Sequence, residues 1–246
     1  MTTDVKVGLV TGGGTGTGRA IALELARRGI NVVVNYSRSR QEAEQTASEV
    51  RELGVACLVQ AADVSDDAQV RLMVENTIKQ FGRLDYLVNS AGITVFVDLA
   101  DLEGLKAEHW DRIFDVNVKG IFFVCRAASP YLKQSRGSIV NITSIAGLNG
   151  QGSSIAYAAS KAAAISLTKS LARVLAPEVR VNSVAPGIIL TRWVAGREDH
   201  VRRLGEGTPL QRVCEAQDVA DVVIPLLISA GMMTGQTVVV DGGVTL

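Results

Sequence analysis

The chain has 246 residues, 47% hydrophobic and 20% charged, which suits one α/β domain with a sizeable core rather than a disordered or fibrous chain. Lys plus Arg equals Asp plus Glu at 25 each, so there is no electrostatic footprint for nucleic acid or an anionic membrane, and no apolar run is long enough to span a bilayer. Three dispersed cysteines without a Cys-x-x-Cys pair point to reduced thiols in the cytoplasm, and with two histidines neither a His-built metal site nor a Ser-His-Asp triad is expected.

A strand is predicted almost at once, Val5 to Val10, which leaves no room for a signal peptide. Thr11-Gly-Gly-Gly-Thr-Gly-Thr-Gly18 follows it directly, and a helical pattern runs from Arg19 to Arg28. Strand, glycine loop and helix form the setting of a dinucleotide-binding turn. The glycines let backbone N–H groups approach a pyrophosphate at the helix N-terminus, where the helix dipole favours negative charge. The second strand, Asn31 to Asn35, ends in Tyr36-Ser37-Arg38, where the adenosine ribose of such a cofactor lies. Ser39 and Glu42 have the spacing of a capping box for the next helix, out to about Leu53.

Alternation continues with a strand at Val55 to Gln60, then Asp63-Val64, a helix from about Asp67 to Phe81, and a strand at Leu84 to Asn89 that turns at Ser90-Ala91-Gly92. Two helical patterns, Leu105 to Val116 and Lys119 to Gln134, precede a fifth strand at Ser138 to Thr143, with Ser144 just past its end. A long helix is predicted from Ser154 to Ala176, then a strand at Val179 to Val184 followed by Pro186-Gly187. The segment from Ile188 to Arg212, with Trp193, several Arg and Gly196, Gly205 and Gly207, reads as a lid. Trp193 suits a packing anchor as well as a ligand contact. A last helix, Ala216 to Ser229, leads to a final strand at Thr237 to Val240. Apolar strands alternating with helices predict a single Rossmann-type α/β domain over residues 1–246, a doubly wound parallel sheet of about seven strands with helices on both faces. In such sheets ligands bind outside the strands' carboxyl ends, where strand order reverses. The glycine loop, Asn89, Ser144 and Pro186 all follow predicted strand ends and should meet there.

Tyr157 and Lys161 lie four apart on the long helix and therefore on one face. Lowering a phenol from a pKa of about 10 to about 7 takes roughly 4 kcal/mol. A positive charge near 4 Å supplies about that much at an effective dielectric of 20. Lys161 is thus expected to lower the Tyr157 pKa and make it an acid and base.

Taken together, Thr11-Gly12-x-x-x-Gly16-x-Gly18, Asp63, Asn89-x-Ala91-Gly92, Asn117, Ser144, Tyr157-x-x-x-Lys161 and Pro186-Gly187 resemble the short-chain dehydrogenase/reductase family over essentially the whole chain. The likeness is greatest to its 3-oxoacyl-acyl-carrier-protein reductase-like members, around Tyr157 to Pro186 and Thr234 to Gly243. The resemblance implies an oxidoreductase that interconverts a carbonyl and a secondary alcohol by hydride transfer. In it Tyr157 exchanges the proton, and Lys161 lowers its pKa and holds the nicotinamide ribose. Ser144 bonds the substrate oxygen, and Asn117 holds a water that links Lys161 to solvent. Asp63, with Val64 beside it, meets the adenine, while Ile188 and Thr191 meet the carboxamide. Thr15, Gly16, Thr17 and Gly18 of the loop, with Asn89, Ala91 and Gly92, complete the cofactor set. Singly, Ser144 and Thr191 also suit helix caps and Asn117 a turn; their joint occurrence in family order selects the catalytic roles.

The end of the second strand carries no Asp or Glu to accept from both ribose hydroxyls, whereas Ser37 and Arg38 can bind a 2′-phosphate. NADP(H) is therefore favoured and NAD(H) remains open. Thr15 stands where NADP-selective relatives often carry a cation. Glu178 stands where a cation would receive an acidic acyl-carrier protein, which counts against that partner and leaves a small-molecule carbonyl or alcohol as substrate. An NAD-dependent alcohol or sugar dehydrogenase, and a non-catalytic cofactor-binding regulator, are the alternatives. The small residues Ala158, Ala159, Ala162, Ala163 and Ala164 and the apolar terminal strand, with the resemblance, imply a homotetramer.

Overall fold

The computed structural model describes residues 5–190, 196, 201, 203 and 205–246. Its elements run β1 (Val7–Thr11), α1 (Gly16–Arg27), β2 (Asn31–Tyr36), α2 (Arg40–Glu52), β3 (Cys57–Ala61), α3 (Asp67–Phe81) and β4 (Tyr86–Asn89). There follow α4 (Ala107–Phe114), a π-helical turn (Asp115–Gly120), α5 (Ile121–Ser135), β5 (Ser138–Ile142), the short α6 (Ala146–Asn149) and α7 (Ile155–Leu175). The chain ends with β6 (Arg180–Pro186), α8 (Ala216–Ile228) and β7 (Thr237–Val240).

The seven strands form one all-parallel sheet in the order β3-β2-β1-β4-β5-β6-β7. Successive side chains of a strand face opposite ways, so the valine-rich strands feed two cores. Leu9, Val33, Leu87, Ile139 and Val181 pack with α3, α5 and α7, while Val10, Val34, Val88, Val140 and Val184 pack with α1, α2 and α8. The order reverses between β1 and β4, where Thr11 pairs in register with Asn89.

Local chemistry explains most boundaries. Asp66 caps α3, its carboxylate accepting from the Ala68 and Gln69 amides, and Gly82 ends that helix in the left-handed region. Ser154 caps α7 by accepting from the Tyr157 amide at 3.2 Å. Ser39, expected to cap α2, makes no side-chain cap bond there. The two helices expected between β4 and β5 are joined by the π-helical turn, which contains Asn117. The wider turn shifts the helix face, a device often found at functional sites. As expected of the terminal strand, β7 lies at the sheet edge, with Val239 exposed.

Candidate active site

The carboxyl ends of the strands open onto a cleft of 1420 Å³ at the strand-order reversal. Gly12, Thr15, Gly16, Thr17, Gly18, Ser37, Arg38, Asp63, Val64, Ala91, Gly92, Ser144, Tyr157, Lys161, Pro186, Gly187 and Ile188 all line it. Of the expected site residues, Thr191 lies outside the described residues, as do 192–195 (Trp193 included), 197–200, 202 and 204 of the expected 188–212 lid.

The glycine loop is a cradle that side chains would fill. A Cβ on Gly18 would stand 2.3 Å from the Gly12 carbonyl oxygen, and Gly12 itself takes φ +62° with Ala91 Cα 3.0 Å from where its Cβ would be. Thr15 leads into α1 without a side-chain cap, so first-turn amides without an intrahelical partner stand at the cleft, which Gly16, Thr17 and Gly18 line. Thr11 Oγ1 accepts from the Ser90 and Ala91 amides, at 3.1 Å each, and so joins this loop to the turn after β4. The space and donor set fit the diphosphate of a dinucleotide. At the far end of β2, Ser37 and Arg38 are exposed, and among the described residues Arg38 pairs with no carboxylate. Asp63 Oδ1 is occupied by the Ser65 amide (3.0 Å) and hydroxyl (2.6 Å), while the residue still lines the cleft.

In the catalytic half, α7 carries Tyr157 and Lys161 one turn apart, and the end of β5 leads to Ser144. Ser144 and Tyr157 are hydrogen-bonded to each other. Lys161 is only 5% exposed; its Nζ donates to the Ile142 carbonyl at 2.9 Å and lies 5.6 Å from the centre of the Tyr157 ring. The expected lowering of the phenol is not what this geometry produces. Burial pushes the Tyr157 pKa up to about 12, opposed by the Ser144 bond, and burial pushes Lys161 down to about 8. Desolvation disfavours both charged forms at once.

Two expected residues stand behind the cleft rather than in its wall. Asn117 is fully buried, its Oδ1 accepting from the Ile93 amide (2.9 Å) and its Nδ2 donating to the Ile93 carbonyl (3.0 Å) and Ser160 Oγ (3.1 Å). Its side chain is therefore a clamp between the loop after β4 and α7. Asn89, 2% exposed, donates to Asn141 Oδ1 at 2.8 Å and Cys125 Sγ at 3.2 Å, inside the sheet. Residues not singled out from sequence complete the frame. Ser160 Oγ donates to the Tyr157 carbonyl at 2.7 Å. Asn35 bonds to three segments of the cofactor half. A buried amide ending a run of valines was the available signal for Asn35.

Comparison with known proteins agrees with this geometry. The family model described as enoyl-(acyl carrier protein) reductase matches residues 12–245. A ketoacyl reductase of the granaticin polyketide synthase from Streptomyces violaceoruber is 41% identical over 99% of this chain and 97% of its own. A 3-oxoacyl-acyl-carrier-protein reductase of Staphylococcus aureus is 40% identical over 97% of both chains. Among solved structures, a short-chain dehydrogenase/reductase from Burkholderia xenovorans superposes with a TM-score of 0.93 at 36% identity, covering 98% of each chain. One from Mycobacterium marinum gives 0.90 at 33% identity, covering 98% of this chain and 95% of its own.

Proposed function

We propose that this chain, which belongs to the short-chain dehydrogenase/reductase family, is an NADP(H)-dependent reductase of small 3-oxoacyl-type carbonyls with Tyr157 as its proton donor. The observation that carries this reading is the cluster of Ser144, Tyr157 and Lys161 at the strand-order reversal, beside a loop shaped for a diphosphate. The names of the ketoacyl and 3-oxoacyl reductases similar to it support the substrate class.

A nicotinamide held in this cleft would supply the hydride. The chain's own residues bind and orient the carbonyl and manage the proton. Ser144 Oγ and the Tyr157 hydroxyl are hydrogen-bonding neighbours, so a carbonyl oxygen brought between them can accept from both. A phenol held near 12 keeps its proton throughout the neutral range. It still donates downhill to an alkoxide, whose conjugate acid is close to water at about 15.7. This ordering suits reduction over oxidation. Lys161, protonated below about 8, stabilises the phenolate left behind. Its donation to Ile142 fixes the ammonium beside the strand end, and two donor protons remain for a ribose.

For the cofactor's other end, the half-buried Tyr36 stands where an acid would exclude a 2′-phosphate, and Arg38 offers a planar guanidinium that pairs with no carboxylate among the described residues. The test is oxidation of NADPH by acetoacetyl thioesters with Tyr157→Phe as comparison. Tyr157→Phe should bind NADPH as the parent does and lose about 10²–10⁴-fold in turnover. Parental turnover by that variant would sink the assignment of the proton, and absence of turnover by the parent on any carbonyl would favour a cofactor-binding regulator.

A further inference from the structure

Asn35, next to last in the valine-rich β2, is 1% exposed and still lines the cleft. Its backbone carbonyl accepts from the Gly13 amide at 3.0 Å, and its Oδ1 accepts from the Gly12 amide at 3.2 Å. Its Nδ2 faces the carbonyls of Tyr36 (3.3 Å), Gln60 (3.2 Å) and Ala62 (3.0 Å). One amide therefore ties together the root of the glycine loop, the root of the Ser37–Arg38 turn and the end of β3.

Two consequences follow from those bonds. The Gly12 and Gly13 amides are committed to Asn35, so an anion in the cleft is left with the first-turn amides of α1, beyond Thr15. The separation between that seat and Arg38 then runs through Asn35, because Tyr36 and the turn hang from the same side chain. A ligand that grips both seats gains from both only if their separation is already fixed; a slack tie makes the ligand bear the cost of ordering. A ligand lacking the 2′-phosphate uses the first seat alone and is spared that cost.

We propose that Asn35 is a positioning residue that holds the diphosphate seat and the Ser37–Arg38 seat at a fixed separation, and so sets cofactor selectivity without touching the phosphate. This rests on the reading of Arg38 as the phosphate-binding cation. The buried amide is suited to the task because its donors and acceptor are all engaged, and a satisfied buried network is rigid.

The test is a binding cycle without turnover. Dissociation constants for NADPH and NADH are measured by nicotinamide fluorescence for the parent, Asn35→Ala, Arg38→Leu and the double variant, with Tm for each. Asn35→Ala should weaken NADPH by about tenfold more than NADH, the scale of one lost charge-assisted contact, and this difference should vanish in the Arg38→Leu background. Should Asn35→Ala not fold, Asn35→Ser, which keeps a short donor and acceptor, is read by the same ratio. If Arg38→Leu weakens NADPH but Asn35→Ala costs both cofactors alike, Asn35 is a structural residue only and the inference is overturned. If Arg38→Leu leaves NADPH affinity unchanged, the reading of Arg38 falls and the inference falls with it.

Discussion

Lys161 Nζ donates to the Ile142 carbonyl at 2.9 Å from a position 5% exposed, and among the described residues no carboxylate faces it. A buried ammonium with one carbonyl acceptor and the Tyr157 ring 5.6 Å away is destabilising, since desolvation costs several kcal/mol per ion and such partners offset only part of it. Lys161→Met should remove that charge at similar volume. The variant is expected to lose turnover and gain about 1–2 kcal/mol, a Tm higher by about 2–6 °C. A lower Tm would show that the ammonium contributes to stability rather than costing it.

The same burial sets a pH dependence. With Lys161 at about 8 instead of 10.5, the ammonium is present below that value and lost above it. The kcat/KM for reduction should be level below pH 8 and fall about tenfold per unit above it. Tyr157, at about 12, adds no limb in the neutral range. Stability should move the other way. Between about 8 and 10.5 the unfolded chain binds the Lys161 proton and the folded chain does not, so stability rises with pH across that window. A flat kcat/KM from pH 7 to 10 would mean that Lys161 does not titrate there.

At the adenosine end, Ser37→Asp combined with Arg38→Leu exchanges a phosphate-binding pair for an acceptor of ribose hydroxyls. The KM for NADPH should rise and that for NADH fall, each by more than about tenfold, since charge-assisted bonds contribute about 1.5–3 kcal/mol. Steady-state kinetics with both cofactors decides it; an unchanged ratio would show that this turn does not read the phosphate.

The cradle makes a steric prediction. Gly18→Ala places a methyl 2.3 Å from the Gly12 carbonyl oxygen and 2.9 Å from its carbon, backbone that cannot swing aside. It should cost about 1–3 kcal/mol in stability and weaken the binding of either cofactor. Gly231→Ala, with nothing within 4 Å and no positive φ, is the matched control. Equal behaviour of the two in denaturant titration and cofactor binding would contradict the cradle.

Periodicity and spacing already determined the alternation of strands and helices, the glycine loop between β1 and α1, and the shared helix face of Tyr157 and Lys161. These are local properties: a period of two or of 3.6 residues is written into consecutive positions. The absence of an acid at Tyr36 was equally plain, because one turn of chain contains the whole signal. What only the tertiary structure decided was solvation and bonding between distant segments. Lys161 is desolvated where the end of β5 meets α7, which makes Ile142 its neighbour, and burial of Tyr157 itself reversed the expected shift of the phenol. Asn89 reads as a cleft residue in sequence, yet its donors go to Asn141 and Cys125, brought alongside by β5 and α5. Asn117 lies in the π-helical turn, and only the fold brings Ile93 and Ser160 to its side-chain amide. Asn35 looked like one polar residue at a strand end until Gly12, Gln60 and Ala62 closed around it. A side chain's chemistry is named by the sequence, but its dielectric and its hydrogen-bond partners are supplied by residues tens of positions away.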